Sequence, residues 1–335
     1  MPSLMNVVQL HAFGGPDVLQ YEQAPIPTPA PGEVLVQVRA IGVNPPDWYL
    51  RDGYRMLPPE WQPQVPFPVV LGTDISGVVV AVAEGVDQLK VGDEVYSMVR
   101  FPSVGLSRAY AQYVSVPAQE VALKPAGLDH AHAAAAPMSL LTAWQFMVEV
   151  GHDEPNPLQA DKHVPVPLAG QLVVVNGAAG GVGHLAVQVA KHKGARVIAV
   201  ASGEHEAFLR GLGADEFIDY TQTAPETVLR DIDLVIDAVG GQGTARFLPT
   251  LKRGGALFPV FPLGFAAADE AKRLGVTVSA TQVRSSGAQL AQLAPLLEAG
   301  ALRVEIDSEY PLADARLAHE RAARGHIRGK IMLRV

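Results

Sequence analysis

The sequence predicts an α/β protein in which a doubly wound parallel-sheet domain is inserted into a β-rich domain. Three observations support this. At 335 residues and 48% hydrophobic content, the chain can bury large cores and is long for one domain. The pattern changes near residue 138 from short strands to alternating strands and helices. The last segment holds one helix and one strand, which is too little for a domain, so it must complete the first one.

From Met5 to about Pro137 the sequence is typical of β structure. Val-rich runs such as EVLVQVRAIGV and ISGVVVAVAEGV are interrupted by Pro and Gly clusters. From about Met138 to Gly300, strand-like runs such as QLVVVNG, RVIAVAS and DLVIDAVGG alternate with helix-like segments such as LAVQVAKHKG and HEAFLRGLG. This alternation indicates right-handed β-α-β crossovers and a parallel sheet.

The C-terminal segment contains an amphipathic helix from Leu312 to about Arg324 and a final strand, KIMLRV. We therefore predict one domain from residues 1–137 and 301–335, with residues 138–300 inserted into it. The Pro-rich stretch from Gly151 to Gly170 is expected to be an exposed loop between the first helix and the first strand of the inserted domain.

Composition narrows the class of partner. With 26 Lys and Arg against 34 Asp and Glu, the net charge is −8, and no basic block is present, so a small molecule is favoured over a nucleic acid or a membrane. The absence of cysteine excludes disulfides, thiolate zinc sites and a cysteine nucleophile. Without a leader-like N-terminus or an apolar run of about 18 residues, we expect a soluble, cytoplasmic protein.

A glycine-rich turn follows the strand-like run QLVVVNG. Ala178, Gly180 and Gly183 match the G-x-G-x-x-G fingerprint with alanine in its first place, and the turn opens a helix with one apolar face. Glycine at the second place lets backbone amides approach a pyrophosphate, and glycine at the third lets the helix lie close to the strand. The motif predicts a dinucleotide site; the alternative is a tight turn that binds no ligand.

The residues after the next strand bear on the choice of dinucleotide. NAD-binding sites place Asp or Glu there, about 20 residues after the turn, to bind the ribose 2′-hydroxyl. This strand ends at Ala201 and Ser202, so NADP is favoured, although the nearby charged residue is Glu204 rather than a base. The alternative is that Ser202 only caps the following helix.

Several motifs together resemble the zinc-independent medium-chain dehydrogenase/reductases, and within them the NADPH:quinone oxidoreductase (zeta-crystallin-like) group. The resemblance covers nearly the whole chain, through GVNPPDWYLRDG (42–53), LGTDISGVV (71–79), VGDEVY (91–96), AYAQYVSVP (109–117), LLTAW (140–144), NGAAGGVG (176–183), LGADEFIDY (212–220), DAVGG (237–241) and RGKIML (328–333). It implies a GroES-like catalytic domain with an inserted Rossmann domain, a nicotinamide in the cleft between them, and a homodimer.

The resemblance also bears on metal binding. Zinc-dependent relatives place a cysteine where this chain has Asn44 and a histidine where it has Thr73. His130 and His132 have metal-like spacing but lack a third ligand, and a solvated helix start is the simpler interpretation. No metal is expected. Without a Lewis acid, hydride transfer to an electron-poor quinone or α,β-unsaturated carbonyl is favoured over alcohol oxidation.

The resemblance implies roles for individual residues. Asn44 is expected beside the nicotinamide and the substrate oxygen, unless it only starts the turn before Pro45, and Tyr49 is expected in the pocket. Plausible aromatic walls, with core packing as the alternative, are Trp48, Tyr54 and Phe101. The expected cofactor-binding residues are Asn44, Thr142, Ala179, Gly180, Gly181, Val182, Ser202, Tyr220, Val239, Gly240, Phe261, Leu263 and Lys330, of which Tyr220 and Lys330 could instead serve at the surface.

Three functions follow from these predictions. The favoured one is an NADPH-dependent quinone or enone reductase. A zinc alcohol dehydrogenase is disfavoured by the missing ligands, and an NADPH-binding structural or regulatory protein with little turnover stays open. The identity of the acceptor cannot be read from the irregular segments that would line its pocket.

Overall fold

The computed structural model describes residues 3–159 and 161–335. The described residues form sixteen strands: β1 Leu4–Leu10, β2 Gln20–Pro25, β3 Glu33–Val43, β4 Val69–Val70, β5 Asp74–Val82, β6 Glu94–Met98, β7 Tyr113–Pro117, β8 Val121–Leu123, β9 Leu172–Asn176, β10 Arg196–Ala201, β11 Glu216–Asp219, β12 Ile232–Asp237, β13 Leu251–Pro259, β14 Thr277–Val278, β15 Ile306–Pro311 and β16 Lys330–Arg334. Their α-helices are α1 Pro45–Arg51, α2 His130–Ala135, α3 Pro137–Met147, α4 Gly181–His192, α5 Glu206–Gly211, α6 Pro225–Val228, α7 Ala268–Leu274, α8 Gly287–Glu298 and α9 Ala315–Ala323.

The chain divides into two compact units. The first comprises the residues up to Leu141 together with Arg284–Gly300 and Val304–Val335, and the second comprises Thr142–Val283 with Ala301–Arg303. The C-terminal helix and strand thus belong to the first unit. The unit boundaries differ from the predicted ones mainly at α8, which the prediction placed in the inserted domain.

The first unit is built on mainly antiparallel strands. One sheet has the order β15-β16-β3-β5-β6-β8, with β7 also paired to β3, and a smaller sheet has the order β2-β1-β4. The alternation of apolar residues along the long strand β3 places Val34, Val36 and Val38 in the core. The final strand β16 pairs antiparallel with β3, which explains why the end of the chain returns to this unit.

Helix α8 packs against β8 of the first unit, and its approach is close. An added Cβ at Gly287 would lie 2.5 Å from the carbonyl oxygen of Val121. The hydroxyl of Tyr96 donates to the carbonyl of Leu290 at 2.7 Å, and Leu293 and Leu297 are buried. These contacts join residues that are far apart in the sequence, so helical periodicity could not assign α8 to a unit.

The second unit is a doubly wound parallel sheet. Its strand order is β11-β10-β9-β12-β13-β14, which is the order 3-2-1-4-5-6 when strands are counted from β9. In such sheets the ligand crevice lies at the carboxyl ends of the strands, where the order reverses, which here is between β9 and β12. The glycine-rich turn follows β9 and therefore lies at this position.

The Pro-rich stretch Gly151–Gly170 contains no helix or strand among its described residues, and its residue Ala160 lies outside them. The prediction of a loop is confirmed for the described residues. The prediction that this loop is exposed is wrong at His163. His163 is only 3% exposed: its Nε2 donates to the carbonyl of Phe146 and its Nδ1 accepts from the hydroxyl of Ser279, both at 2.8 Å. These bonds tie the loop to the core of the second unit.

Candidate functional site

The turn between β9 and α4 has two glycines that the fold itself requires. Gly177 has a φ of +72°, which favours glycine, and an added Cβ there would meet the side chain of Val239 at 2.8 Å. At Gly183 a Cβ would lie 2.1 Å from the carbonyl oxygen of Gly177. The helix therefore crosses the turn in contact with its backbone.

Gly180 is different, because neither its conformation nor its neighbours require glycine. Its φ of −74° and ψ of −178° are available to any residue, and an added Cβ would meet only the carbonyl oxygen of Gly177, at an ordinary 3.5 Å. Gly180 is the N-cap of α4 and makes no side-chain cap bond, so it leaves the helix start open to a ligand. The start of α4 at Gly180 therefore has the form of an anion-binding helix N-terminus, with space for a pyrophosphate beside the first backbone amides of the helix.

Three other predicted residues lie at the start of α4 beside Gly180, and a fourth lies on α3. Gly181 and Val182 are the first two residues of α4 and are half-buried, and Ala179 is buried in the turn before them. Thr142 lies on α3 and is buried. The structure thus brings Ala179, Gly181 and Val182 together with Gly180 at one helix start.

Ser202 and Tyr220 follow two adjacent strands. Ala201 of β10 is in register with Asp219 of β11, so the two residues come directly after neighbouring strand ends. The Ser202 side chain makes no helix-cap bond, so the alternative of a simple cap is wrong; its hydroxyl donates to the Glu204 carboxylate at 3.2 Å. Tyr220 is 45% exposed.

A second carboxylate lies at this edge. The Asp219 side chain lies against Gly203, where an added Cβ would be 2.5 Å from its Oδ2. Hydrogen bonds from the hydroxyl and backbone amide of Thr221 hold the pKa of Asp219 below its usual range. Glu204 is evident here from the sequence, whereas Asp219 comes close only through the pairing of β10 with β11.

On the other side of the glycine turn, a buried carboxylate shapes the ends of β12 and β13. Asp237 accepts hydrogen bonds from the amide of Asn176 at 2.8 Å and from the backbone of Val239 and Gly240 at 3.1 and 3.0 Å. Gly240 has a φ of +71°, and an added Cβ would meet the Phe261 carbonyl at 2.4 Å. Asp237 thereby fixes the turn that carries two predicted cofactor-binding residues.

Phe261 and Leu263 follow β13 and are half-buried. The Phe261 carbonyl accepts from the amide of Gly241 at 3.1 Å, which joins this segment to the Val239–Gly240 turn. The structure therefore places these four predicted residues beside one another at the carboxyl edge of the sheet. Asp237 was missed by sequence reasoning, although an acid that ends an apolar strand before two glycines is a usable signal.

In the first unit, Asn44 links a buried cation to a buried anion. It lies between β3 and α1 and is 1% exposed. Its Nδ2 donates to Asp74 Oδ2 at 2.9 Å, and the Lys330 ammonium donates to its Oδ1. Weaker Nδ2 contacts reach the Gly42 carbonyl at 3.3 Å and the Thr73 hydroxyl at 3.4 Å. Asn44 is therefore more than the start of a turn.

Lys330 is 3% exposed, so the alternative of a surface role is wrong. Its Nζ lies 3.7 Å from Asp74 Oδ2, and burial lowers its pKa while the two nearby carboxylates raise it. Asp74 also accepts from the backbone amide of Met138 at 3.0 Å, and burial raises its pKa to about 6. A buried cation and anion bridged by an amide form a charge-balanced cluster, which a buried pair requires.

A second branch of polar contacts extends from this cluster. Asp47 accepts from the backbone amide of Asn44 at 2.8 Å, and the Tyr110 hydroxyl donates to it at 3.3 Å. Burial raises the pKa of Asp47 to about 7. Arg51 donates to Nδ1 of His319 at 2.9 Å, so His319 carries its proton on Nε2 and donates to Tyr110 at 3.1 Å. Burial and the nearby guanidinium lower the pKa of His319 to about 3.

Three of the predicted aromatic residues of this unit lie along α1 or shortly after it. Trp48, Tyr49 and Tyr54 are half-buried, and the ring centroid of Tyr49 lies 6.0 Å from that of Trp48 and 6.1 Å from that of Tyr54. Burial raises the pKa of Tyr49. Phe101 lines one pocket with Tyr54 and Thr73, whereas Tyr49 is not among the residues that line it.

The described part of the chain contains no cluster of three His, Asp or Glu side chains that could hold a metal ion. His130 and His132 do not converge: Nδ1 of His130 lies 2.8 Å from the Ser76 hydroxyl, while Nδ1 of His132 lies 2.8 Å from Asp129. None of the helices in residues 3–159 and 161–335 has the length and apolarity needed to cross a membrane.

Comparison with known proteins agrees with this architecture. Residues 30–126 match the family described as alcohol dehydrogenase GroES-like domain, and residues 212–333 match the family described as zinc-binding dehydrogenase. The mouse mitochondrial NAD(P)H oxidoreductase RTN4IP1 is 33% identical over 99% of this chain and 90% of its own length. The chloroplastic NADPH-dependent alkenal/one oxidoreductase of Arabidopsis thaliana is 32% identical over 99% of this chain and 80% of its own length.

Solved structures of oxidoreductases also resemble this chain over nearly its whole length. The quinone oxidoreductase of Coxiella burnetii superposes with a TM-score of 0.86 at 30% identity, covering 99% of this chain and all of the other. The Escherichia coli quinone oxidoreductase complexed with NADPH gives 0.82 at 26% identity, covering 98% and 100%. The predicted fold class, a GroES-like domain with an inserted Rossmann domain, is thereby confirmed. The chain belongs to the medium-chain dehydrogenase/reductase family, in the group of the quinone oxidoreductases.

Proposed function

We propose that this protein transfers hydride from a reduced nicotinamide dinucleotide to a quinone or an α,β-unsaturated carbonyl. The observation that carries the proposal is Gly180, a glycine that neither backbone conformation nor packing requires, placed at the open start of α4. The names of the relatives and structural neighbours support the reaction class. In this proposal the first unit is the catalytic domain and the second is the dinucleotide-binding domain.

The residues of the second unit fit such a cofactor along one edge of the sheet. Gly180 and Gly181 would leave room for the pyrophosphate at the amides of α4. Ser202 and Tyr220 would lie at the ribose end, and the turn at Gly240 would lie towards the nicotinamide end. When bound, the cofactor supplies a proton and two electrons together, as hydride. The protein supplies the orientation that makes the transfer productive.

We propose NADPH as the preferred donor, because Ser202 stands where NAD-binding sites carry a carboxylate. The Ser202 hydroxyl and the exposed Tyr220 are neutral groups that can accommodate a 2′-phosphate. Glu204 and Asp219 oppose that preference, so we expect it to be modest, about ten-fold or roughly 1.4 kcal/mol. Titration with both nucleotides tests this, and equal or tighter NADH binding would contradict it.

In the first unit we propose that Asn44 and Tyr49 lie at the hydride-transfer site. The amide of Asn44 is held at both ends, because its Oδ1 accepts from the Lys330 ammonium and its Nδ2 donates to Asp74. The Lys330 ammonium already occupies the place of a cation beside Asn44, and an amide bonded to an ammonium is a poor metal ligand. An acceptor that takes hydride directly at carbon suits such a site.

The test is oxidation of NADPH, followed by its absorbance, with a panel of quinones and enones and with simple alcohols in the reverse direction. Turnover of quinones or enones without alcohol oxidation is expected. Tight nucleotide binding without turnover of any acceptor would favour the alternative, a structural or regulatory NADPH-binding protein. Alcohol oxidation that requires added zinc would favour an alcohol dehydrogenase.

The quaternary state and the compartment complete the proposal. We propose a homodimer, which sedimentation analysis would test, with a monomer at micromolar concentration contradicting it. We also propose a cytoplasmic location, although relatives with mitochondrial and chloroplastic names make fractionation of the source cells the necessary measurement.

A further inference from the structure

A pocket inside the first unit has aromatic walls and several hydroxyl groups. Tyr54 and Phe101 form part of its wall, and Thr73, Ser103 and Ser107 also line it. It contains no Lys or Arg side chain among its lining residues. Burial raises the pKa of Tyr54 to about 12, so its hydroxyl stays protonated at neutral pH. The polar groups of the pocket are therefore mainly neutral donors.

Thr73 is firmly held among these hydroxyl residues. It is 5% exposed, and its carbonyl accepts from the backbone amide of Val99 at 2.7 Å. The preceding residue, Gly72, donates its amide to Asp47 at 3.1 Å, and the following one, Asp74, is tied to Asn44. Thr73 therefore sits on a backbone that cannot shift without breaking buried hydrogen bonds.

The Thr73 hydroxyl has a spare proton. Its oxygen receives the weak hydrogen bond from Asn44 Nδ2 at 3.4 Å, and its own proton has no acceptor among the described residues. Asn44 is in turn bonded by the Lys330 ammonium. A hydroxyl that accepts a hydrogen bond is a stronger donor, and a cation that begins a series of hydrogen bonds polarises each bond after it. This series of hydrogen bonds runs from Lys330 through Asn44 to Thr73.

The charges of the lining residues favour a neutral ligand over an anionic one. No Lys or Arg side chain lines the pocket, and its one acidic lining residue, Asp47, is buried, so an anionic group in the pocket would find no cation to pair with. A neutral carbonyl oxygen, by contrast, is a good acceptor for a hydroxyl donor. The aromatic walls suit a flat, conjugated acceptor.

We infer that this pocket receives the carbonyl end of a neutral acceptor and that the Thr73 hydroxyl donates a hydrogen bond to its oxygen. The inference rests on the proposed function and specifies its substrate site. As hydride adds to the acceptor carbon, the π electrons move to the oxygen, which then takes a proton from water. Thr73 keeps its own proton and stabilises the charge that develops on that oxygen.

The test is a matched pair of variants, Thr73→Val and Thr73→Ser. Valine keeps the shape and removes the donor, whereas serine keeps the donor. We expect Thr73→Val to lower kcat/KM for a neutral enone by about ten-fold or more, while Thr73→Ser stays within about three-fold of wild type. NADPH affinity, measured by fluorescence titration, should be unchanged in both, and thermal melts report the fold.

A second arm tests the charge selection. Wild type should reduce an enone ester with a kcat/KM at least about ten-fold above that for the free acid of the same skeleton. Full activity of Thr73→Val, an equal loss in Thr73→Ser, or equal use of ester and acid would overturn the inference and leave the proposed function intact. A wild-type protein that reduces no quinone or enone would remove both.

Discussion

A pair of glycine substitutions separates the ligand site from the fold. Gly180→Ala places a Cβ at an ordinary distance, 3.5 Å from the nearest atom, whereas Gly183→Ala places one 2.1 Å from the Gly177 carbonyl oxygen. Because real Cβ contacts essentially never fall below 3.0 Å, α4 must move away from the turn by at least 0.9 Å, the difference between 3.0 and 2.1 Å. Both neighbours are backbone atoms, so no side chain can rotate to relieve the contact.

The expected magnitudes follow from this geometry. Forcing an extra methyl group against backbone costs about 3 kcal/mol, at the upper end of overpacking costs. For a unit of this size that lowers Tm by roughly 10 °C. Gly180→Ala exchanges a small loss of capping for a small gain in chain entropy, so Tm should move by no more than about 3 °C. Its methyl group would occupy the space through which a pyrophosphate reaches the amides of α4, so NADPH affinity should fall at least about ten-fold.

Melts without nucleotide, together with calorimetric titration of NADPH, measure both effects. Gly180→Val extends the series and should abolish binding in a folded protein. Unimpaired NADPH affinity in folded Gly180→Val would mean that the dinucleotide lies elsewhere. A Gly183→Ala protein as stable as wild type would refute the packing argument.

Three further predictions concern the first unit. Asn44→Ala should lower kcat about ten-fold, which corresponds to roughly 1.4 kcal/mol, and should change NADPH affinity less. An unchanged rate would remove Asn44 from the active site. So would a loss of rate that is accompanied by a large fall in Tm. Prolonged EDTA treatment should leave the rate unchanged, and stoichiometric zinc in metal analysis would contradict this. Because the folded pKa of His319, about 3, lies below its ordinary 6.5, its stabilising contribution is complete above pH 6.5 and is lost as the pH falls towards 3. The stability advantage of wild type over His319→Gln should therefore shrink by roughly 2 kcal/mol between pH 7 and pH 5. Asp47 and Asp74, whose pKa values are raised, change the free energy of unfolding with pH in the opposite direction. The quantity to measure is therefore the difference in the free energy of unfolding between wild type and His319→Gln at each pH. A difference that stays constant from pH 7 to pH 5 would contradict the prediction.

The sequence by itself determined those features that local patterns encode. The Val-rich runs, the alternation of strands and helices, and the glycine turn after β9 each depend on residues close together in the chain. Periodicity and turn chemistry record such local preferences directly. The return of the last strand to the first unit also followed, because one helix and one strand cannot bury a core alone.

Only the tertiary structure decided which distant side chains meet. Asn44 and Lys330 are 286 positions apart, and nothing in either segment indicates that an ammonium bonds that amide. The burial of His163, the approach of Asp219 to Gly203 and the packing of α8 on β8 are of the same kind. A buried polar group must find a partner wherever the fold brings one, so its identity depends on the packing of whole elements. The same reason separates Gly180 from Gly183: they look alike in the motif, and only the distances to neighbouring backbone show which one serves the fold and which one leaves space for a ligand.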